Sequence, residues 1–339
     1  MVEMGHELND HVGPPWWAGF GGTVEAFQYL TGRGYEFDEK ACEGAAREGH
    51  LNALMFLRGL DPPCLWDEWT CSGAAKRGHL ELLKWLRLDQ DPPCPWSAST
   101  CSLAALGGHL DVLKWLRAQD PPCPWSSSTC TRAAEGGHLD VLKWLRAQNP
   151  PCPWDAFTCS YAARGGHLEV LKWARAQEPP CPWNSDTCAD AAREGHLDVL
   201  EWARAQDPPC PWGVGTCAWA ARGGQLEVLQ WLRAEDPPCP WSWLTWAEAA
   251  KAGHLEVLKW SRAQEPPCPW SRHECRAAAY GHDHIVQWID QQDDESDCDS
   301  EEQRRRVRMR EMVLEDMERE NNGDYDSDGR FDSYRDDDY

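Results

Sequence analysis

Along His138-Leu-Asp-Val-Leu-Lys-Trp-Leu-Arg146, the apolar residues Leu139, Val141, Leu142, Trp144 and Leu145 recur at helical spacing. Asp140 and Lys143 fall on the other side, close enough for a weak ion pair. Asn149-Pro150-Pro151 ends this helix, because proline cannot continue it and restricts the residue before it. A shorter helix is predicted just upstream, through Cys130, Ala133 and Ala134, and Gly136-Gly137 breaks it. Two short helices cannot bury such faces alone, so the pattern demands stacking.

The same pattern recurs along most of the chain. Gly-His-Leu places His at 50, 79, 109, 138, 167, 196 and 254, with Gln225 in the one gap. Trp recurs on the second helix from Trp85 to Trp288, and in the connecting loop from Trp66 to Trp270. Two cysteine series run alongside, one from Cys64 to Cys268 in the loops and one from Cys42 to Cys275 in the first helices. After each loop Trp stands a residue suited to capping a helix: Asp67, Ser97, Ser126, Asp155, Asn184, Gly213, Ser242 and Ser271. The Trp then takes the position before the cap and the helix cysteine the fourth position after it, which predicts a hydrophobic staple. The expected fold is all-α, a helical repeat solenoid of helix-turn-helix units joined by short proline-rich loops. Its span is 20–291, a leading half-repeat plus nine helix pairs, between an N-terminal segment 1–19 and a tail 292–339.

Composition changes the picture in two ways. Sixteen of the 17 cysteines and 16 of the 22 tryptophans belong to the repeating series, which marks them as framework. The formal charge of −23 argues against nucleic-acid binding, since phosphate contacts need a basic surface. No apolar run is long enough for a membrane span, and the acidic, polar start does not fit a secretory or mitochondrial signal. An intracellular monomer with reduced thiols is expected, in the cytoplasm or, as the alternative, the nucleus.

At Thr129-Cys-Thr-Arg-Ala-Ala-Glu-Gly-Gly-His-Leu-Asp-Val-Leu the chain resembles an ankyrin repeat, and the likeness covers roughly residues 20 to 291. It departs in two ways: Thr-Pro-Leu-His is absent, and the period is 29 rather than about 33. It is similar to the short Cys/Trp-rich ankyrin variants of large DNA viruses and unicellular eukaryotes.

Compared with one another, the units vary most at the third, seventh and tenth residues after the loop Trp, which share one face of the first helix. The ankyrin resemblance makes this the concave face where partners bind. The candidate residues are Phe157, Tyr161, Arg164, Asp186, Asp190, Arg193, Trp219, Arg222, Leu244 and Glu248. Aromatic and arginine side chains on an exposed groove are the chemistry of interface hot spots, which predicts a non-catalytic scaffold that binds another protein there. Trp246 stands where a framework Cys belongs, so the core around it is expected to be packed differently.

Other chemistry is weaker. Cys-x6-Cys is not the short zinc knuckle, and helices stacked about 8–10 Å apart do not bring four ligands to one ion. The same spacing keeps equivalent cysteines of neighbouring units from bridging, whereas a pair such as Cys123 with Cys130 stays open by length. A thiol-based metal or redox sensor is thus the alternative reading. No nucleophile elbow, P-loop or dinucleotide fingerprint occurs, so neither catalysis nor a cofactor is expected. The tail is rich in Asp, Glu and Ser and reads as largely disordered, with a charged helix at 301–320. Asp324, Asp326, Asp328 and Gly329 match half of a calcium loop whose twelfth position is Arg335 instead of Glu. Ser296 and Ser300, before acidic residues, are candidate phosphorylation sites.

Overall fold

The computed structural model describes residues 23–270 and 272–292. The Ser271 cap, the N-terminal segment and, Gln292 apart, everything read in the tail lie outside them. The chain divides into two compact units, Met1–Val286 and Gln287–Tyr339.

Among the described residues there are nineteen helices and no strand, and the fold is an all-helical repeat solenoid. A single helix α1 (Val24–Gly32) comes first. Pairs follow as α2 (Glu39–Arg47) with α3 (Leu51–Arg58), α4 (Glu68–Lys76) with α5 (Leu80–Leu88), and α6 (Ala98–Leu106) with α7 (Leu110–Arg117). Next come α8 (Ser127–Glu135) with α9 (Leu139–Arg146), α10 (Ala156–Arg164) with α11 (Leu168–Arg175), and α12 (Ser185–Glu194) with α13 (Leu197–Arg204). The series ends with α14 (Val214–Arg222) and α15 (Leu226–Ala234), α16 (Trp243–Ala252) and α17 (Leu255–Arg262), α18 (Arg272–Ala278) and α19 (Asp283–Asp290).

The first helices, α2 to α18, pack on one another along a continuous row, and each second helix from α3 to α17 packs on its own first helix. Small side chains allow this closeness: Cys130, Ala133 and Ala134 of α8 are fully buried, as are their equivalents in the other central units. The second helices supply bulk instead. In α9, Val141, Leu142 and Leu145 are fully buried, each worth about 1.5–3 kcal/mol of apolar transfer.

Local sequence sets the helix starts. Asp67 Oδ1 accepts from the Trp69 amide at 2.9 Å and Ser97 Oγ from Ser99 at 3.3 Å; Asp155, Asn184 and Ser242 cap in the same way. Threonine three residues on returns the favour, its Oγ1 accepting from the cap residue's own amide in α6, α8, α10 and α14.

Each loop is closed by one arginine. Arg146 Nη1 donates to the Cys152 carbonyl at 2.6 Å while its guanidinium lies 4.1 Å from the centre of the Trp154 ring. Trp154 in turn meets Trp173 edge-on at 6.0 Å. This arrangement repeats from Arg58 and Trp66 to Arg233 and Trp241. The Asp-Pro, Asn-Pro or Glu-Pro bond of every loop from Asp61-Pro62 to Glu265-Pro266 is cis.

Successive units are tied by histidine. His138 Nε2 lies 2.9 Å from the carbonyl of Leu106, the last residue of α6. A carbonyl only accepts, so Nε2 carries the proton. The bond recurs from His79 with Arg47 to His282 with Lys251, and Gln225 keeps it by donating its amide to Arg193 at 3.3 Å. His138→Ala is expected to cost about 1–2 kcal/mol by stranding that carbonyl, and His138→Gln well under half as much. Urea denaturation of the two variants checks this ordering.

Candidate ligand face

The variable residues of the first helices line one face of the solenoid, and the structure distributes them unevenly. Phe157 is 40% exposed at the start of α10. One turn on, the half-buried Tyr161 ring has two guanidinium groups near it, Arg132 at 6.0 Å and Arg164 at 5.9 Å. Two units further, half-buried Trp219 has Arg193 at 5.3 Å and Arg222 at 5.1 Å. The face therefore carries two aromatic rings, each flanked by two planar cations.

Acidic residues hold those cations in place. Glu135 pairs with Arg132 at 2.7 Å, and Glu194 lies 3.8 Å from Arg164 and 3.6 Å from Arg193. Glu248, only 9% exposed, pairs with Arg222 at 3.2 Å and Lys251 at 2.7 Å. Between the two aromatic sites stands Asp190, half-buried on α12. Burial pushes its carboxyl up to about 7, against the opposing pull of Arg164. Asp186 accepts a hydrogen bond from the Asn184 side chain at 2.9 Å.

Of the ten residues expected here, Phe157, Tyr161, Arg164, Asp186, Asp190, Arg193, Trp219 and Arg222 lie on the open face of α10, α12 and α14. Leu244, 6% exposed, and Glu248 are packed in, Leu244 as core and Glu248 as an anchor for its cations. The same helix, α16, departs from the framework at a third position. Trp246, in a framework cysteine position, is fully buried with its ring 5.1 Å from Trp270. Arg132 completes the Tyr161 site, and its place in the same variable row was the signal for it.

The cysteines pair differently from the spacing that sequence left open. Cys123 and Cys130 belong to successive units. Cys42 pairs with Cys64, their sulfurs 3.5 Å apart, and Cys101 with Cys123, Cys130 with Cys152 and Cys159 with Cys181 follow the same rule. The helix cysteine turns to the loop cysteine, as when Cys130 Sγ donates to the Cys152 carbonyl at 3.8 Å, while the loop Trp packs on the second-helix Trp. Hydrogen bonding to the partner thiol, then burial, raises Cys42, Cys94, Cys101, Cys130, Cys181, Cys210 and Cys239 far above the usual thiol range. Protonated, buried thiols are poor nucleophiles and poor ligands, so these pairs act as packing. Among the described residues no group of three or more His, Cys, Asp or Glu is placed to hold a metal ion, and no helix is long and apolar enough to cross a membrane.

No protein-family model matches the chain, and no curated protein does. Among solved structures it is similar to the pentatricopeptide repeat protein PPR10 in complex with an 18-nucleotide psaJ RNA element. Identity is 15% and the TM-score 0.39, over 80% of this chain and 47% of that one. A triple Cys-to-Ser variant of PPR10 with the same RNA element matches equally. The chain thus spans about half the length of the structures it matches.

The expectation of a protein partner, with nucleic acid excluded, is corrected here. Both solved structures to which the chain is similar are of a pentatricopeptide repeat protein in complex with RNA. The charge argument is also weaker than the whole-chain value makes it, although residues 1–291 still carry 37 acidic and 25 basic residues. Segment 292–339 carries 19 acidic and 8 basic residues, so nearly half of the −23 lies outside the solenoid and says nothing of its face.

Proposed function

We propose that the chain is a non-catalytic recognition scaffold of ankyrin-like units, with Pro-Pro-Cys-Pro-Trp in place of the ankyrin hairpin, and that its first-helix face binds single-stranded RNA. The observation that carries this reading is the pair of Arg–aromatic–Arg sites at Tyr161 and Trp219. Unpaired bases stack on aromatic rings and guanidinium planes, with little demand on sequence. The two sites lie two units apart, about 16–20 Å at ordinary helix spacing, which suits an extended strand rather than a compact ligand. Because Glu135, Glu194 and Glu248 already engage the arginines, stacking outweighs phosphate contacts, and the salt dependence should be shallow.

The test is fluorescence anisotropy of the full chain with a labelled single-stranded RNA of mixed sequence. Trp219→Ala and Tyr161→Ala should each weaken binding by about 1–3 kcal/mol, roughly 5- to 150-fold, with circular dichroism unchanged. Absence of binding, or equal binding by both variants, would sink the proposal.

A further inference from the structure

Resting on the RNA reading of the same face, we propose that Asp190 is a proton-operated switch that sets the charge between the two stacking sites and so decides whether an anionic strand is accepted.

The geometry begins with a charge imbalance. Around the step from α10 to α12 stand two cations, Arg164 and Arg193, and three carboxyls, Asp186, Asp190 and Glu194. Glu194 already touches both arginines, and Asp186 is held by Asn184. Asp190 is the carboxyl left over. It occupies the same helix position as Tyr161 on α10 and Trp219 on α14, so it stands in line between the two rings. From α10 it is faced by Arg164; α14 brings Trp219 and Arg222 to this face; Asp186, Arg193 and Glu194 belong to its own helix. On the core side, α13 contributes the buried apolar residues Val199, Leu200 and Ala203.

With Asp190 ionised, the step carries one uncompensated negative charge where a phosphate would pass between the stacked bases. With Asp190 protonated, the two arginines and two remaining carboxylates balance, and the neutral acid can donate a hydrogen bond to a phosphate or base oxygen. Burial against α10 and α14 raises the acid's affinity for its proton, which places the change near neutrality. Affinity for the strand therefore rises as pH falls through that range, and binding takes up a proton.

The experiment uses the full chain and two readouts. Carbon-13 labelling of the aspartate carboxyls, with Asp190→Asn identifying the resonance, gives the titration midpoint without ligand. Anisotropy with labelled oligouridylate at pH 5.5 and 8.5 gives the affinity. The expected result is a midpoint near 7, roughly tenfold tighter binding at the lower pH, and an Asp190→Asn variant held at the tighter value at both. A midpoint in the ordinary Asp range overturns the switch whatever the RNA result, and so does an Asn variant that keeps the wild-type pH response. Should no oligouridylate bind at either pH while the midpoint is near neutrality, the RNA reading falls on its own. The switch is then judged by labelling Arg164 and Arg193 with an arginine-selective dicarbonyl. Protection in the wild type relative to Asp190→Asn at pH 8.5, lost at pH 5.5, supports it; an equal ratio at both pH values overturns it.

Discussion

Replacing Gly137 by alanine is expected to destabilise the array by about 2–4 kcal/mol, well beyond an ordinary surface change. Gly137 has φ of +73°, where a side chain is strained by about 1–3 kcal/mol. A Cβ there would also come within 2.6 Å of the His167 ring of the next unit. That ring cannot retreat freely, because its Nε2 donates to the Glu135 carbonyl at 2.8 Å; displacing it forfeits that bond, worth about 1 kcal/mol. One substitution thus strains its own turn and loosens the adjoining unit. Long repeat arrays depart from all-or-none unfolding, so the better measurement is amide hydrogen exchange at α8 to α11 beside a urea melt. Accelerated exchange confined to those helices is the expected outcome; exchange like the wild type's would show that the turn tolerates a side chain.

Arg146→Ala is expected to cost a similar amount, about 2–4 kcal/mol. The guanidinium makes a short bond to the Cys152 carbonyl and lies against Trp154. A hydrogen bond from a charged donor contributes about 1.5–3 kcal/mol, and a partly exposed cation–aromatic contact about 0.5–1 kcal/mol more. Lysine should recover less than half of the loss, because an ammonium cannot stack flat on the indole while donating sideways. Urea denaturation of Arg146→Ala and Arg146→Lys, with Trp fluorescence as the probe, checks the ranking. Equal stability of the lysine variant and the wild type would contradict this account of the loop.

Much of the architecture was legible because the units are copies. The Leu139-Val141-Leu142-Leu145 stripe, the Ser126 and Asp155 caps and the Gly136-Gly137 break each state a local rule, and repetition restated it in every unit. The links between units were not legible. His138 reads locally as a turn residue, and only its bond to Leu106, 32 positions earlier, gives its task; Gln225, which keeps a donor in that place, was the one hint. The cysteine pairing was missed for the same reason: Cys123 and Cys130 are near in sequence, while Cys130 meets Cys152 through the fold. On the face, unit-to-unit variation put Tyr161, Asp190 and Trp219 in one row, but the burial of Leu244 and Glu248 was not legible in it. The whole-chain charge says little about the face, because nearly half of it lies in segment 292–339.

The histidine bond also gives the array a direction. Each unit carries the donor that closes the helix of the unit before it, and leaves its own last carbonyl for the unit to come. The bond at the end of each first helix is therefore made only once the following unit is in place. Shortening the gene from its 3′ end exposes a helix-end carbonyl, whereas shortening it from the 5′ end exposes a histidine N–H; water takes the partner's place at either break.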